Sequence, residues 1–311
     1  MKVNKMKIYN LSHYDLDGFG CQLCVYEKFK NHNINFKNCG YKNIIYELNK
    51  ISFNEYDLII ITDLNFDLNA QKHLYEKLKN FKGKFIYIDH HLYENKEYLD
   101  KIKNELNHKI IIDTSKSATL KTYEILKLDN NNLKNLCEII DIYDVWREEN
   151  PKFKLANLVN DYFWSISEDF REKMISQNYK FSQEDKEKIK YFKEYSKKYI
   201  ENNLKNGIII ESPNLIISFD FKYTNHFKEY FNNPNILICN LKNNKFSLRL
   251  KEEDSNKRDI IIDWIKKNFY PETIGGHQLA IGFEFIKLEK NSLKIMLEGL
   301  VNILNDKPND F

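Results

Sequence analysis

The sequence predicts an α/β chain: an N-terminal domain on a parallel sheet, a helical connector, and a smaller C-terminal α/β domain. Three observations predict it. Short apolar runs alternate with amphipathic stretches through the first third, a charge-dense stretch interrupts the pattern after residue 181, and strand-like runs then resume. Strands that alternate with helices build a parallel sheet covered on both faces, and ligands of such sheets gather at the carboxyl ends of the strands.

Taken in order, Lys7–Ser12, Ile34–Asn38, Asp57–Thr62, Lys84–Asp89 and Lys109–Asp113 read as buried strands of five or six residues. Asp17–Lys30, Lys42–Lys50, Asn69–Asn80 and Ser117–Lys127 read as the helices between and after them. Asn132–Trp146 is helical, with Leu133, Leu136, Ile139, Ile140 and Tyr143 as its apolar residues. From Ser182 to Lys205 the density of Glu, Asp and Lys marks a solvated connector helix, which Gly207 would cap. Ile208–Glu211, Leu215–Phe219, Ile236–Asn240 and Phe246–Leu250 are strand-like, and Asp259–Asn268 and Ser292–Leu304 are helical. The expected domains are therefore residues 1–180 and 207–311, joined by 181–206.

Composition narrows the function. The 311 residues suggest about two domains, at roughly 150 residues each. With 48 Lys and Arg against 45 Asp and Glu, the net charge of +3 is too small for a dedicated surface for long duplex DNA. Five cysteines make no disulfide framework in a chain this long, the N-terminus has no apolar export segment, and no apolar run approaches the about 20 residues a bilayer needs. A cytoplasmic protein without membrane contact is expected. Cys21 and Cys24 read as core packing rather than a redox or zinc pair, since no second such pair exists. Thr114, Ser115 and Ser117 read as N-capping residues, and Trp146 and Trp164 as packing residues under the second lobe.

Four stretches of the first domain are dense in ligand-type side chains. The first strand runs into His13-Tyr14-Asp15-Leu16-Asp17-Gly18, the third into Asp63, and the fourth into Asp89-His90-His91; the later helix holds Asp141 and Asp144. One carboxylate at a strand end is ordinarily a cap or turn residue. Three such ends in one sheet, supplemented by histidines, point to a site. A set of imidazoles and carboxylates without thiolate suits two divalent cations, with Mn²⁺ favoured by the histidines and Mg²⁺ the alternative. Asp63 is placed to bridge a pair about 3.5–4 Å apart, which would acidify water and clamp a phosphoryl group.

These motifs resemble the DHH phosphoesterase superfamily, whose name spells Asp89-His90-His91. Near the C-terminus, Gly275-Gly276-His277 is similar to the signature of the associated DHHA1 domain, and Ser247-Leu248-Arg249 to its substrate-binding strand. The resemblance runs from about Lys7 to Phe285. It implies that His13, Asp15 and Asp63 hold one metal and that Asp17, Asp63, His90 and Asp141 hold the other. It further implies that Asp89 orients His90, that His91 faces the substrate phosphate as a catalytic group, and that Arg249, Gly275, Gly276 and His277 bind the substrate end. Asp141 directly follows Ile139-Ile140 and is preferred as the fourth-motif ligand; Asp144 stays open as an alternative or supporting residue. Two features depart from the patterns of relatives: the His-x-Asp-x-Asp spacing is that of the RecJ-like branch rather than of nanoRNases, and the glycine run before His277 is short.

The expected activity is Mn²⁺-dependent hydrolysis of short single-stranded oligonucleotides or dinucleotides to nucleoside monophosphates, with 3′-phosphoadenosine 5′-phosphate as a further substrate. The 34 residues after His277 (311 − 277) are too few for the OB domain of RecJ-type exonucleases. A RecJ-like 5′–3′ exonuclease is the alternative, and a non-catalytic nucleotide-binding scaffold is the alternative of another class. RNA or DNA preference and a homodimeric state stay open.

Overall fold

The computed structural model describes residues 5–206, 209–212, 214–219, 235–276 and 279–306. The chain divides into two compact units, Met1–Lys190 and Tyr191–Phe311. The division falls inside a helix, within the stretch that reads from sequence as the connector.

The first unit is built on β1 (Lys7–His13), α1 (Leu16–Phe29), β2 (Asn33–Cys39), α2 (Ile44–Lys50), β3 (Leu58–Thr62), α3 (Leu68–Leu78), β4 (Lys84–Asp89), α4 (Glu97–Asn104) and β5 (Lys109–Ile112). Helices α5 (Ala118–Ile125), α6 (Asn131–Asp144), α7 (Phe153–Ser165) and α8 (Phe170–Ser176) follow, and α9 (Gln183–Asn206) holds the division between the units. The strands pair in the order β2-β1-β3-β4-β5, parallel throughout. The chain winds to one side from β1 to β2 and to the other from β1 to β3, so the crevice of this sheet opens at the ends of β1 and β3. Register sharpens this: Ser12 pairs with Thr62 and Thr62 with Ile88, so His13, Asp63 and Asp89 stand side by side at the carboxyl edge.

The central strand β3 is buried along its whole length, which is why it reads as an unbroken apolar run. Leu11, Ile59, Ile61, Phe85 and Tyr87 form one buried cluster with Leu48, Leu74, Leu78, Leu99 and Ile102 of α2, α3 and α4. Helices α1, α5 and α6 pack against one another. Gly20 makes the α1–α5 contact this close, since a Cβ there would lie 2.2 Å from Thr119 Oγ1. All five cysteines are free and buried, Cys24 Sγ lying 3.6 Å from Cys137 Sγ, as expected of core residues. Trp146 is buried, but Trp164 is 50% exposed, a correction to its reading as a packing residue. Its neighbour Phe163 takes the inward position on α7, which turns Trp164 outward.

The second unit carries a six-stranded sheet in the order β10-β11-β9-β8-β7-β6: β6 (Ile209–Ser212), β7 (Leu215–Phe219), β8 (Asn235–Asn240), β9 (Lys245–Arg249), β10 (Thr273–Gly275) and β11 (Ala280–Glu284). Of the pairings among the described residues, only that of β7 with β8 is parallel. Residues of one face, among them Leu215, Ile217, Leu237, Leu248 and Ile281, pack with the helices Arg258–Phe269 and Lys290–Leu304, while Ile216, Ile236 and Ile238 of the other face pack with Ile200. Arg249 closes β9 opposite Ala280, and Gly275 closes β10 opposite Gly282. Gly276 has φ +139°, and a Cβ there would lie 2.2 Å from Ala280 O, so this turn excludes other residues. His277 and the expected cap Gly207 lie outside the described residues. Among the described residues, no helix is long and apolar enough to cross a membrane.

Candidate metal centre

The first motif is a strand end feeding directly into a helix. His13 closes β1, and Asp15 caps α1 by accepting from Gly18 N at 3.0 Å while lying 2.7 Å from His13 Nδ1. A Cβ on Gly18 would lie 2.2 Å from His13 O, so the turn closes only over glycine. Asp17, in the first turn of α1, accepts from Ala118 N and Thr119 N, both at 2.9 Å. Those amides are unpaired donors of the α5 N-terminus, so a helix end holds this aspartate. Asn38 Nδ2 donates to His13 O at 2.5 Å and ties the motif to β2.

Asp63 sits at φ 55°, a conformation few residues other than glycine adopt, while its amide still donates to Ile88 O at 3.0 Å. From there Oδ1 lies 3.4 Å from His90 Nε2 and Oδ2 4.0 Å from His13 Nδ1. His90 Nε2 is also 3.7 Å from Asp17 Oδ2 and 3.3 Å from Asp144 Oδ2. Three overlapping groups result, each with its ligand atoms within 4.8 Å of one another: His13, Asp15 and Asp63; Asp63, His90 and His91; and Asp17, His90 and Asp144.

The fourth motif differs from its sequence reading. Asp144, not Asp141, joins the cluster. Asp141 accepts from Ser117 N at 2.7 Å and Arg147 Nε at 2.9 Å, so it is already paired with a guanidinium cation and lies outside the cluster. Ser117 does cap α5, through a bond from Leu120 N at 3.3 Å, and its amide meets Asp141 as well. A second correction concerns Asp89. It pairs with His91, not His90: Oδ1 lies 2.8 Å from His91 Nδ1, and Tyr93 Oη donates to Oδ2 at 2.5 Å. Side chains two residues apart on extended chain share a face, which puts His91 beside Asp89 and turns His90 toward the cluster.

Burial and mutual repulsion govern the electrostatics of the cluster. Burial, and then the charges of Asp15 and Asp17, pushes the Asp63 carboxyl well above the usual carboxylate range. Asp144 is pushed well up by burial and then by Asp17 and Asp15, and Asp17 is pushed up by burial against the opposing pull of His90. Burial also acts on Asp15 and Asp89, but His13 holds Asp15 well below the usual range and His91 holds Asp89 down at about 2. Asp63 Oδ2 and Asp144 Oδ2 are buried and accept no hydrogen bond from the described residues. Crowded carboxylates with orphaned oxygens are unfavourable unless a cation neutralises them. Imidazole nitrogen and carboxylate oxygen fit Mn²⁺ or Mg²⁺.

Sequence does not single out Tyr41, Tyr93, Asn38 or Arg147. Tyr41 stacks on His13 at 4.6 Å between ring centroids and its hydroxyl lies 3.1 Å from His91 Nε2. Nothing in the pattern around Tyr41 or Asn38 announces them, because both reach the site through β2 pairing. Tyr93 could have been found from its place just beyond His91, and Arg147 from its place just beyond the fourth motif.

Comparison with known proteins agrees with the geometry. Residues 7–152 match the DHH family, N-terminal domain. A 3′,5′-cyclic-nucleotide phosphodiesterase of Helicobacter pylori is 32% identical over 171 residues, covering 49% of this chain and 47% of that protein. Oligoribonuclease NrnB of Bacillus subtilis is 31% identical over 175 residues, covering 53% of this chain and 43% of that protein. The chain thus spans less than half the length of these curated relatives. The crystal structure of RecJ in complex with Mn²⁺ from Thermus thermophilus superposes with TM-score 0.55 at 13% identity, over 97% of this chain and 52% of that one, and shows a shared fold.

Proposed function

Since residues 7–152 match the DHH family, N-terminal domain, we propose that the protein is a two-cation phosphodiesterase that hydrolyses short single-stranded oligonucleotides or dinucleotides to nucleoside monophosphates. The observation that carries this reading is Asp63, whose two oxygens face His13 on one side and His90 on the other. Such a carboxylate is what two neighbouring cations share. His13, Asp15 and Asp63 would hold one, and Asp17, Asp63, His90 and Asp144 the other, with Mn²⁺ favoured over Mg²⁺ by the histidines. Bound there, the pair supplies an acidified water and neutralises phosphoryl charge.

The chain's own residues complete the chemistry. Asp17 and Asp63 stay ionised only when their repulsion is compensated, so they select for positive charge. Asp89 and Tyr93 fix the ring of His91, whose Nε2 is left toward Tyr41 and the substrate side to stabilise phosphoryl charge or donate a proton. Arg249, Gly275, Gly276 and His277 keep the substrate-binding role their motifs imply. The names of the two curated relatives support phosphodiester hydrolysis in general.

The test is a panel of RNA and DNA from two to twenty nucleotides, with 3′,5′-cyclic nucleotides and 3′-phosphoadenosine 5′-phosphate, assayed with Mn²⁺ and each product identified. Fastest turnover on the dinucleotide is expected. Strong preference for the 20-mer would overturn this reading in favour of a single-strand-specific exonuclease, the second reading, which the His13-x-Asp15-x-Asp17 spacing favours.

A further inference from the structure

Two large aromatic side chains stand half exposed at the rim of an otherwise buried centre. Tyr14 follows His13 at the carboxyl edge of the sheet, and its ring lies 4.5 Å from that of His13. Trp164 of α7 meets Tyr14 edge-on at 6.4 Å between centroids. Tyr14 is 49% and Trp164 50% exposed, whereas His13, one residue away from Tyr14, is 8% exposed. Phe163, beside Trp164 on α7, is by contrast buried against Phe19 and Phe170. The fold also keeps room for Tyr14: a Cβ on Gly40 would lie 2.7 Å from its Cε1.

We propose that Tyr14 and Trp164, whose rings meet at 68°, form an angled aromatic shelf beside the metal ligands, one ring stacking on a nucleobase of the substrate while the other meets its edge. Every base has a π-face, so such a shelf accepts any base and grips the nucleoside rather than the phosphate. This selects nucleotides over other phosphodiesters of the same charge. The inference rests on the phosphodiesterase reading above and assigns part of its substrate recognition.

The experiment compares a dinucleotide with its abasic analogue, which keeps the same sugars and phosphate, for wild type, Trp164→Ala, Trp164→Phe and Tyr14→Ala. The ratio of kcat/KM between the two substrates is expected to fall about tenfold in both alanine variants. In Trp164→Phe, which keeps a ring, it is expected to stay within about twofold. In parallel, adenosine is titrated into EDTA-treated protein while tryptophan emission is recorded; quenching is expected in wild type and its loss in Trp164→Phe. An unchanged ratio in Trp164→Ala, or no quenching in wild type, would overturn the shelf. Wild type that hydrolyses neither substrate yet is quenched by adenosine would overturn the phosphodiesterase reading and leave the shelf standing.

Discussion

The two aspartates of α6 can be separated by substitution, because they differ in what satisfies them. Asp144 Oδ2 is buried, 3.3 Å from His90 Nε2, and accepts no hydrogen bond from the described residues. Asp141 is held by Ser117 N and Arg147 Nε. Replacing a residue that only supports a metal ligand lowers affinity or activity about 10–100-fold. Asp144→Asn, which removes a ligand, is therefore expected to lose about 100-fold or more in kcat/KM, equivalent to about 2.7 kcal/mol. Its stability in EDTA should not fall, since an uncompensated buried charge has gone. Asp141→Asn should behave in the opposite way. It weakens two charge-assisted hydrogen bonds, one of them to a partly exposed arginine, at a cost of about 1–2 kcal/mol, with only about tenfold lost in kcat/KM. That cost lowers Tm by about 2–8 °C for a unit of this size. Dinucleotide hydrolysis with saturating Mn²⁺ and thermal melts in EDTA read the two effects separately. An inactive Asp141→Asn beside a fully active Asp144→Asn would refute the reasoning.

Three further perturbations have defined outcomes. Asp63→Asn should raise Tm in EDTA at pH 7, because burial and Asp15 raise the folded-state pKa of Asp63. A raised pKa means stability that is present below the ordinary value of about 3.9 and lost as pH rises, so the advantage of the variant should vanish in melts below about pH 4. Gly18→Ala forces a Cβ to within 2.2 Å of a backbone carbonyl and should cost about 1–3 kcal/mol in urea denaturation; an unchanged midpoint would contradict that turn geometry. Tyr93→Phe removes the donor to Asp89 and should lower kcat about tenfold while leaving Mn²⁺ affinity within about twofold, measured by titration calorimetry.

The first unit is legible in the sequence because its strands are apolar and its ligands follow them. The apolar run of β4 coincides with its observed bounds, and the stretches read as β1, β2, β3 and β5 agree within a residue at each end; β3 is an unbroken buried run, whereas the edge strand β2 shows alternating exposure. The helices α4, α7 and α8 are not legible, and neither are β10 and β11. Glu97–Asn104 is short and half charged, and Thr273–Gly275 is three residues of a glycine-containing hairpin. In the site, chemistry at strand ends points to His13, Asp15, Asp17, Asp63 and His90, which the structure brings together. Asp141 against Asp144 depends on where two residues three apart on one helix meet α5, and local sequence does not encode that contact. The partner of Asp89 is hidden for a related reason: the direction in which His90 and His91 diverge is set by the end of β4.

Diffraction from crystals soaked in Mn²⁺, recorded at a wavelength where manganese scatters anomalously, tests the shared site most directly. Two anomalous peaks about 3.5–4 Å apart are expected, with the Asp63 carboxylate between them and Asp144 in contact with one. A single peak, or a pair that leaves Asp63 without a metal contact, would contradict it.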